Sequence, residues 1–135
     1  MNEKNFMKNS SNNNHQSKST RDKGKEAEDR AVELLKGKGY EIIKRNFHFG
    51  RYGEIDIIAK DGKVLVFVEV RSCETKQYGS PVESITPQKQ KAIRRVAEGY
   101  YFVNKLTDAE SRYDVVTIDY SGTPEKIEHL VNAFW

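Results

Sequence analysis

Hydrophobic positions along this chain follow two spacings. Ala27, Ala31, Leu34 and Leu35 recur at the three- and four-residue intervals of an amphipathic helix. They predict a helix from about Asp22 to Lys36, with Gly37 and Gly39 as its stop. Ile93, Val96, Ala97, Tyr100 and Val103 predict a second helix, opened by Thr86 as N-cap and Pro87 in the first turn. Elsewhere the apolar residues cluster in short runs rich in Ile, Val and Phe, which suit a pleated sheet. These predict strands at Tyr40 to Phe47, two within Gly53 to Arg71, one at Arg112 to Asp119, and a short edge strand at Lys126 to Leu130. His129 and the closing Asn132 to Trp135 read as packing elements. The order is α-β-β-β-α-β with an added edge strand, an α/β fold whose mixed central sheet is flanked by helices.

The pattern is interrupted by charge inside the hairpin. Asp61-Gly62 lies between two β-rich runs, the signal of a two-residue type I′ turn. With that turn Lys60 faces Lys63, Asp56 faces Phe67 and Glu54 faces Glu69. Side chains alternate with period two, so Glu54, Asp56, Glu69 and Arg71 would all leave one face at the open end of the hairpin. Asp56 and Glu69 become diagonal neighbours, roughly 7–8 Å apart. Like charges so placed destabilise a sheet and call for a cation, either Arg71 or a divalent metal.

Composition narrows the setting. The 135 residues suffice for one domain with a modest core. Residues 1–20 are rich in Asn, Ser and Lys without apolar periodicity and read as a disordered polar tail; residues 21–135 read as the single domain. Val64 to Val70, broken by Glu69, is far too short an apolar run to span a bilayer. No apolar leader with a cleavage site opens the sequence, so cytoplasmic residence is expected. The lone Cys73 excludes an internal disulfide and a cysteine-based zinc site. The net charge of +3 is too small to identify a nucleic-acid binder, so the distribution of charge matters more.

Several single residues have two readings. Glu28 sits on the edge of the first helix's apolar stripe, as a boundary residue would. Lys89 precedes Ile93 by four and lies at the start of the inward face, reaching toward the acids or a phosphate, or snorkelling to solvent. His48 to Tyr52 is a basic, aromatic loop able to contact nucleic acid, or a solvated connector. Ser72 to Ser84 is a polar loop near the open end of the hairpin. Asp114 reads as a structural partner of Arg112.

An Asp on one strand and Glu-x-basic on the next has a chemical sense. Mg²⁺ prefers oxygen ligands and is held by one or two carboxylates together with waters and a phosphate oxygen. Such an ion activates water and neutralises phosphate charge, while a basic residue two beyond the Glu returns to the same face to bind the phosphate.

The sequence resembles the YraN family of resolvase-like proteins from about residue 24 to the end. The resemblance is carried by Gly39-Tyr40, Arg45-Asn46, Gly53-Glu54-Ile55-Asp56-Ile57-Ile58-Ala59, Val66-Phe67-Val68-Glu69-Val70-Arg71, Tyr78-Gly79-Ser80-Pro81, Lys89, Arg112-Tyr113-Asp114-Val115-Val116 and Asn132-Ala133-Phe134. That family is similar to archaeal Holliday-junction resolvases and to restriction-endonuclease-like nucleases. The resemblance implies a restriction-endonuclease-like core and an endonuclease dependent on Mg²⁺, or Mn²⁺, acting on branched DNA, with a homodimer to cut two strands symmetrically. It implies Glu28, Asp56, Glu69 and Arg71 as the catalytic set. Asp56, Glu69, Glu28 and the Val70 carbonyl would be metal ligands, Arg71 and Lys89 phosphate ligands, and Glu54 a supporting residue.

Arg71 departs from the pattern, which has lysine there. Arginine stays charged and cannot act as a base, so water activation falls to the metal, with Lys89 as an assistant. The alternative expectation is a non-catalytic module that keeps the fold and binds nucleic acid or a protein partner. A third is an adaptor that binds no nucleic acid.

Overall fold

The computed structural model describes residues 20–74 and 85–135. The tail assigned to residues 1–20 lies outside them up to residue 19, as do most of the Ser72 to Ser84 loop and its Tyr78-Gly79-Ser80-Pro81. In chain order the elements are α1 (Thr20–Gly37), β1 (Glu41–His48), β2 (Glu54–Asp61), β3 (Val64–Cys73), α2 (Pro87–Val103), β4 (Ser111–Asp119) and β5 (Lys126–Phe134). The strands form one sheet in the order β1-β2-β3-β4-β5. Among the described strands only β3 and β4 run parallel, and α2 lies in the crossover that such a pairing requires. The predicted α/β order with a mixed sheet is thus the observed one, and β5 extends the expected edge strand to Phe134.

The helices cover opposite faces of the sheet. Ala31, Val32 and Leu35 of α1 pack on Ile57, Ala59, Val66, Val68 and Val116. Ile93, Val96, Ala97 and Tyr100 of α2 pack on Ile55, Ile58, Leu65, Phe67 and Val115. Because β3 is covered on both sides, its apolar run is nearly continuous, whereas edge strand β1 carries polar residues between half-buried ones. Among the described residues no helix is long and apolar enough to cross a membrane.

The hairpin register differs from the expected one by two residues. Asp61 pairs with Val64 and Lys60 with Leu65, so the turn residues are Gly62 and Lys63. Positive φ falls on Gly62 (φ 63), the first central position, which is the type II′ rather than the type I′ pattern. Asp61 stays in the strand because its carboxylate meets the Arg112 guanidinium at 3.1 Å. The ladder ends at Ile57 with Val68, and beyond it Asp56 and Glu69 meet through their side chains, which are hydrogen-bonded.

Strict alternation also fails where it matters for the acids. Arg45 pairs with Ile57, and both face α1: Arg45 bonds Glu28 and Asp29, and Ile57 packs under the helix. Phe47 pairs with Ile55 two residues further on, yet both face α2, where Phe47 meets Tyr100 edge to face at 5.3 Å. Between them Asn46 adopts left-handed backbone (φ 53), which Asn tolerates better than most residues. The β1–β2 ribbon turns over at Asn46 and Asp56. The expectation that Glu54, Asp56, Glu69 and Arg71 share one face is corrected accordingly: Glu54 and Asp56 open toward α1, while Glu69 and Arg71 lie on the α2 side.

At the chain's end, Phe134 is buried and stacks on Tyr113 at 5.0 Å, as a packing element should. Trp135 does not pack; it is 85% exposed.

Candidate metal centre

The turnover of the ribbon creates an acidic recess at one end of the sheet. The last β2–β3 backbone pair before it is Ile57 with Val68. Beyond that pair the Asp56 carboxylate accepts the Val70 N–H at 2.8 Å. A side chain thus does the work of a backbone partner where the strands part. Glu28 comes in from α1 and Glu54 from the start of β2. One carboxylate oxygen from each of Glu28, Glu54 and Asp56 lies within 4.8 Å of the others. They line a cavity of about 600 Å³ together with Gly24, Lys25, Arg45, Asn46 and His48.

Glu69 joins this group through Asp56. Its side chain is 6% exposed, and Asp56 is its hydrogen-bond partner. Two cations flank it on the α2 side, Lys89 Nζ at 3.7 Å and Arg71 Nη1 at 3.8 Å. Burial raises the Asp56 carboxyl, and the charge of Glu69 raises it further, to about 8. The Val70 N–H opposes that rise without cancelling it. Burial also raises Glu69, and the nearby Lys89, Asp56 and Arg71 offset only part of this. Both shifts run the same way, so the pair favours holding a proton between its two carboxyls.

Glu28 is held in place by Arg45, whose Nη2 lies 3.4 Å from Glu28 Oε1 and 2.7 Å from Asp29 Oδ1. Among the described residues the Arg45 Nε is buried without a hydrogen-bond partner. Val70 contributes its N–H here, while its side chain packs on the α1 side of the core.

The structure brings together Glu28, Glu54, Asp56 and Glu69, with Arg71 and Lys89 beside Glu69. Glu54, expected to play only a supporting part, lies within 4.8 Å of both Asp56 and Glu28. It also stands 3.8 Å from His48 Nε2. Sequence reasoning missed Arg45 as the group that positions Glu28. The available signal was an arginine on a strand beside Asn46, the residue suited to the left-handed turn.

Asp114 belongs to a separate network. It is fully buried and accepts from Arg112 Nε at 3.0 Å, His129 Nε2 at 2.8 Å and the Asn132 N–H at 2.9 Å. Burial alone would raise its pKa, but these three donors outweigh it and hold the carboxyl below its usual value. Lys38 Nζ sits 2.8 Å from the other ring nitrogen of His129. The structural reading of the Arg112–Asp114 pair is the observed one.

The sequence matches a family model described as "Uncharacterised protein family UPF0102" over residues 27–118. It is 42% identical over 120 residues to a UPF0102 protein of Prosthecochloris aestuarii, covering 84% of this chain and 94% of that one. A UPF0102 protein of Persephonella marina is 44% identical over 112 residues, with 83% and 92% covered. One from Geotalea uraniireducens is 45% identical over 114 residues, with 82% and 87% covered.

Proposed function

The chain belongs to the UPF0102 family, and from that premise we propose that it is a divalent-metal-dependent endonuclease acting on structured or branched DNA. The observation that carries the reading is the convergence of Glu28, Glu54 and Asp56 within 4.8 Å, with Asp56 in contact with the buried Glu69. The donor set fits a hard cation. It consists of carboxylate oxygens, the ligands Mg²⁺ and Mn²⁺ take, and offers no thiolate or imidazole in the trio. Burial and the charge of Glu69 favour the protonated form of Asp56, and an ion at its carboxylate would replace that proton.

Glu28, Glu54 and Asp56 would hold the ion, with Glu69 adjoining. When bound, the ion supplies charge neutralisation at a phosphate and a more acidic water. The chain's own cations do the rest. Lys89 and Arg71 stand on the α2 side of Glu69, where they would grip phosphate oxygens, Arg71 in the bidentate manner open to guanidinium. A guanidinium is not suited to act as a base, so Arg71 is assigned no proton transfer. Arg45 keeps Glu28 turned into the recess. The likeness of the acid pattern to resolvase-like nucleases supports branched DNA as substrate. Two copies related by a two-fold axis would match a symmetric junction.

One observation favours a second reading, a non-catalytic nucleic-acid or protein-binding module. Glu69 is already flanked by Arg71 and Lys89, so part of the acidic charge is balanced without a metal.

Calorimetric titration with Mn²⁺, followed by incubation with four-way junction, flap and single-stranded DNA, separates the two. The nuclease reading expects Mn²⁺ binding that Asp56→Asn removes, and metal-dependent cutting that is lost with it. Intact DNA from all three substrates in both Mg²⁺ and Mn²⁺ would sink it in favour of the module.

A further inference from the structure

A second feature lies on α2, outside the acidic recess. The β1–β2 loop folds back onto the helix, where the Phe49 ring fills the space that a side chain at Gly99 would need. Phe49 stacks beside Tyr52 with ring centroids 6.0 Å apart. This fixes Tyr52 under Arg95, whose guanidinium carbon lies 4.8 Å from the Tyr52 ring centroid. Tyr52 is 47% exposed and Arg95 is exposed.

Arg95 is the unusual member. Among the described residues no carboxylate lies within ion-pair distance of it, although Glu98 follows three positions later on the same helix. Lys91, also exposed, precedes it by four, a like-charge spacing that weakens a helix slightly. A solvated arginine with no task would sample many rotamers. This one is oriented by an aromatic ring, itself clamped by a second aromatic. Cation–π contact leaves the N–H groups around the guanidinium rim free to donate in the ring plane. The Tyr52 ring already carries Arg95 and adjoins Phe49, so its task is to aim the arginine rather than to stack on a base.

Position gives the ligand. Lys89, at the edge of the acidic recess, precedes Arg95 by six residues, or ~9 Å along a helix. That is about three base-pair steps of B-form DNA. We propose that Arg95, aimed by Tyr52, is a phosphate-binding residue that grips the DNA backbone about three nucleotides from the acidic recess. This rests on the nucleic-acid reading above but not on catalysis. Tyr52 is a positioning residue that acts through Arg95.

The test is anisotropy of a labelled four-way junction with the full chain in EDTA, over a range of salt concentrations. Arg95→Ala should bind about five- to tenfold more weakly, with the salt slope reduced by about one. Tyr52→Leu should weaken binding in a way that does not add to Arg95→Ala, while Tyr52→Phe, which keeps the ring, stays near wild type. Lys63→Ala, which removes the same charge at the β2–β3 turn, should leave the slope unchanged. Mn²⁺ titration and a thermal melt of each variant report on folding and on the recess. An unchanged slope in folded Arg95→Ala, or no salt-dependent junction binding by the wild type, overturns the proposal. Cleavage by wild type together with unchanged Arg95→Ala binding would overturn this inference and leave the nuclease reading standing. Slope loss without cleavage in any metal would do the reverse.

Discussion

The carboxylate of Asp56 accepts the backbone N–H of Val70 at 2.8 Å, at the point where β2 and β3 separate. The same carboxylate is needed by the fold as an acceptor and, on the proposed function, by the metal as an anion. Asparagine keeps the first role and abolishes the second. The Asp56 pKa in the folded protein is raised to about 8, so its contribution to metal-free stability is present at low pH and is lost as pH rises through that value. At pH 8 and without metal, Asp56→Asn should therefore be more stable than wild type, on the order of 2 kcal/mol, and the gap should close near pH 4. Asp56→Ala strands the Val70 N–H and should not share the gain. Urea melts at the two pH values check this; an Asn variant less stable than wild type at pH 8 would count against the buried shared proton.

Metal binding should displace the proton held by Asp56. Mn²⁺ affinity is then expected to rise with pH up to about 8, where the carboxyl in the metal-free protein is raised. Calorimetry in two buffers of different ionisation enthalpy measures the release. At a hundred times the Kd, the ion should add about 2.7 kcal/mol to stability. Binding independent of pH between 6 and 8 would contradict the placement of the ion among these acids.

Glu28 enters the recess on a helix, and Arg45 is the side chain that holds it there. Replacing Arg45 with Met keeps much of the apolar stem and removes the guanidinium. The expected loss in Mn²⁺ affinity is about tenfold, comparable with other changes behind a metal ligand, with a small change in melting temperature. Glu54→Gln should cost at least as much, since its oxygen lies in the trio itself. Parallel titrations of the two variants test this. Wild-type affinity in Glu54→Gln would return Glu54 to a supporting part.

Asp114 offers a contrast, because its carboxyl is held below the usual range. Its contribution is fully present above the unfolded Asp value of about 3.9 and is lost as pH falls through the lower folded value. Asp114→Ala leaves the Arg112 and His129 donors short of an acceptor and should cost about 3–5 kcal/mol at pH 7, shrinking toward pH 2. Denaturant unfolding across that range measures it, and Mn²⁺ affinity of the folded fraction should not change.

The helices and strand order were legible because long apolar stripes and β-branched runs report burial directly. The acidic hairpin was legible too, but its geometry was not. Asp61-Gly62 carries a strong turn signature, yet Arg112, 51 residues away, holds Asp61 in the strand and shifts the turn by one position at each side. A local rule cannot contain such a distant partner. The turnover at Asn46 and Asp56 was hidden for a similar reason. Period-two counting assumes that a strand stays a strand, and a single left-handed residue reverses every face beyond it. Glu54 looked secondary for a different reason: the family resemblance assigns the ligand roles to Glu28, Asp56, Glu69 and the Val70 carbonyl, and leaves Glu54 a supporting part. Arg45 stands out in the sequence only as part of the Arg45-Asn46 motif, since nothing in its neighbourhood reveals that α1 passes over it.

Gly99 tests the clamp between the β1–β2 loop and α2. In an open helix position Ala for Gly is favourable by up to about 1 kcal/mol. Here the added methyl would fall inside the Phe49 ring, and the ring is wedged between the helix and Tyr52. Gly99→Ala should therefore destabilise, by about 1–3 kcal/mol, as overpacking does. Phe49→Ala alone should also destabilise, through lost burial. The double variant has no ring to collide with, so its cost should fall short of the sum of the two single costs by at least 1 kcal/mol. The same displacement would pull Tyr52 from beneath Arg95, so Gly99→Ala should bind junction DNA with the reduced salt slope expected of Arg95→Ala while keeping its Mn²⁺ affinity. A double-mutant cycle by chemical denaturation decides the packing claim: strict additivity would mean that Phe49 and Gly99 do not share this space in solution.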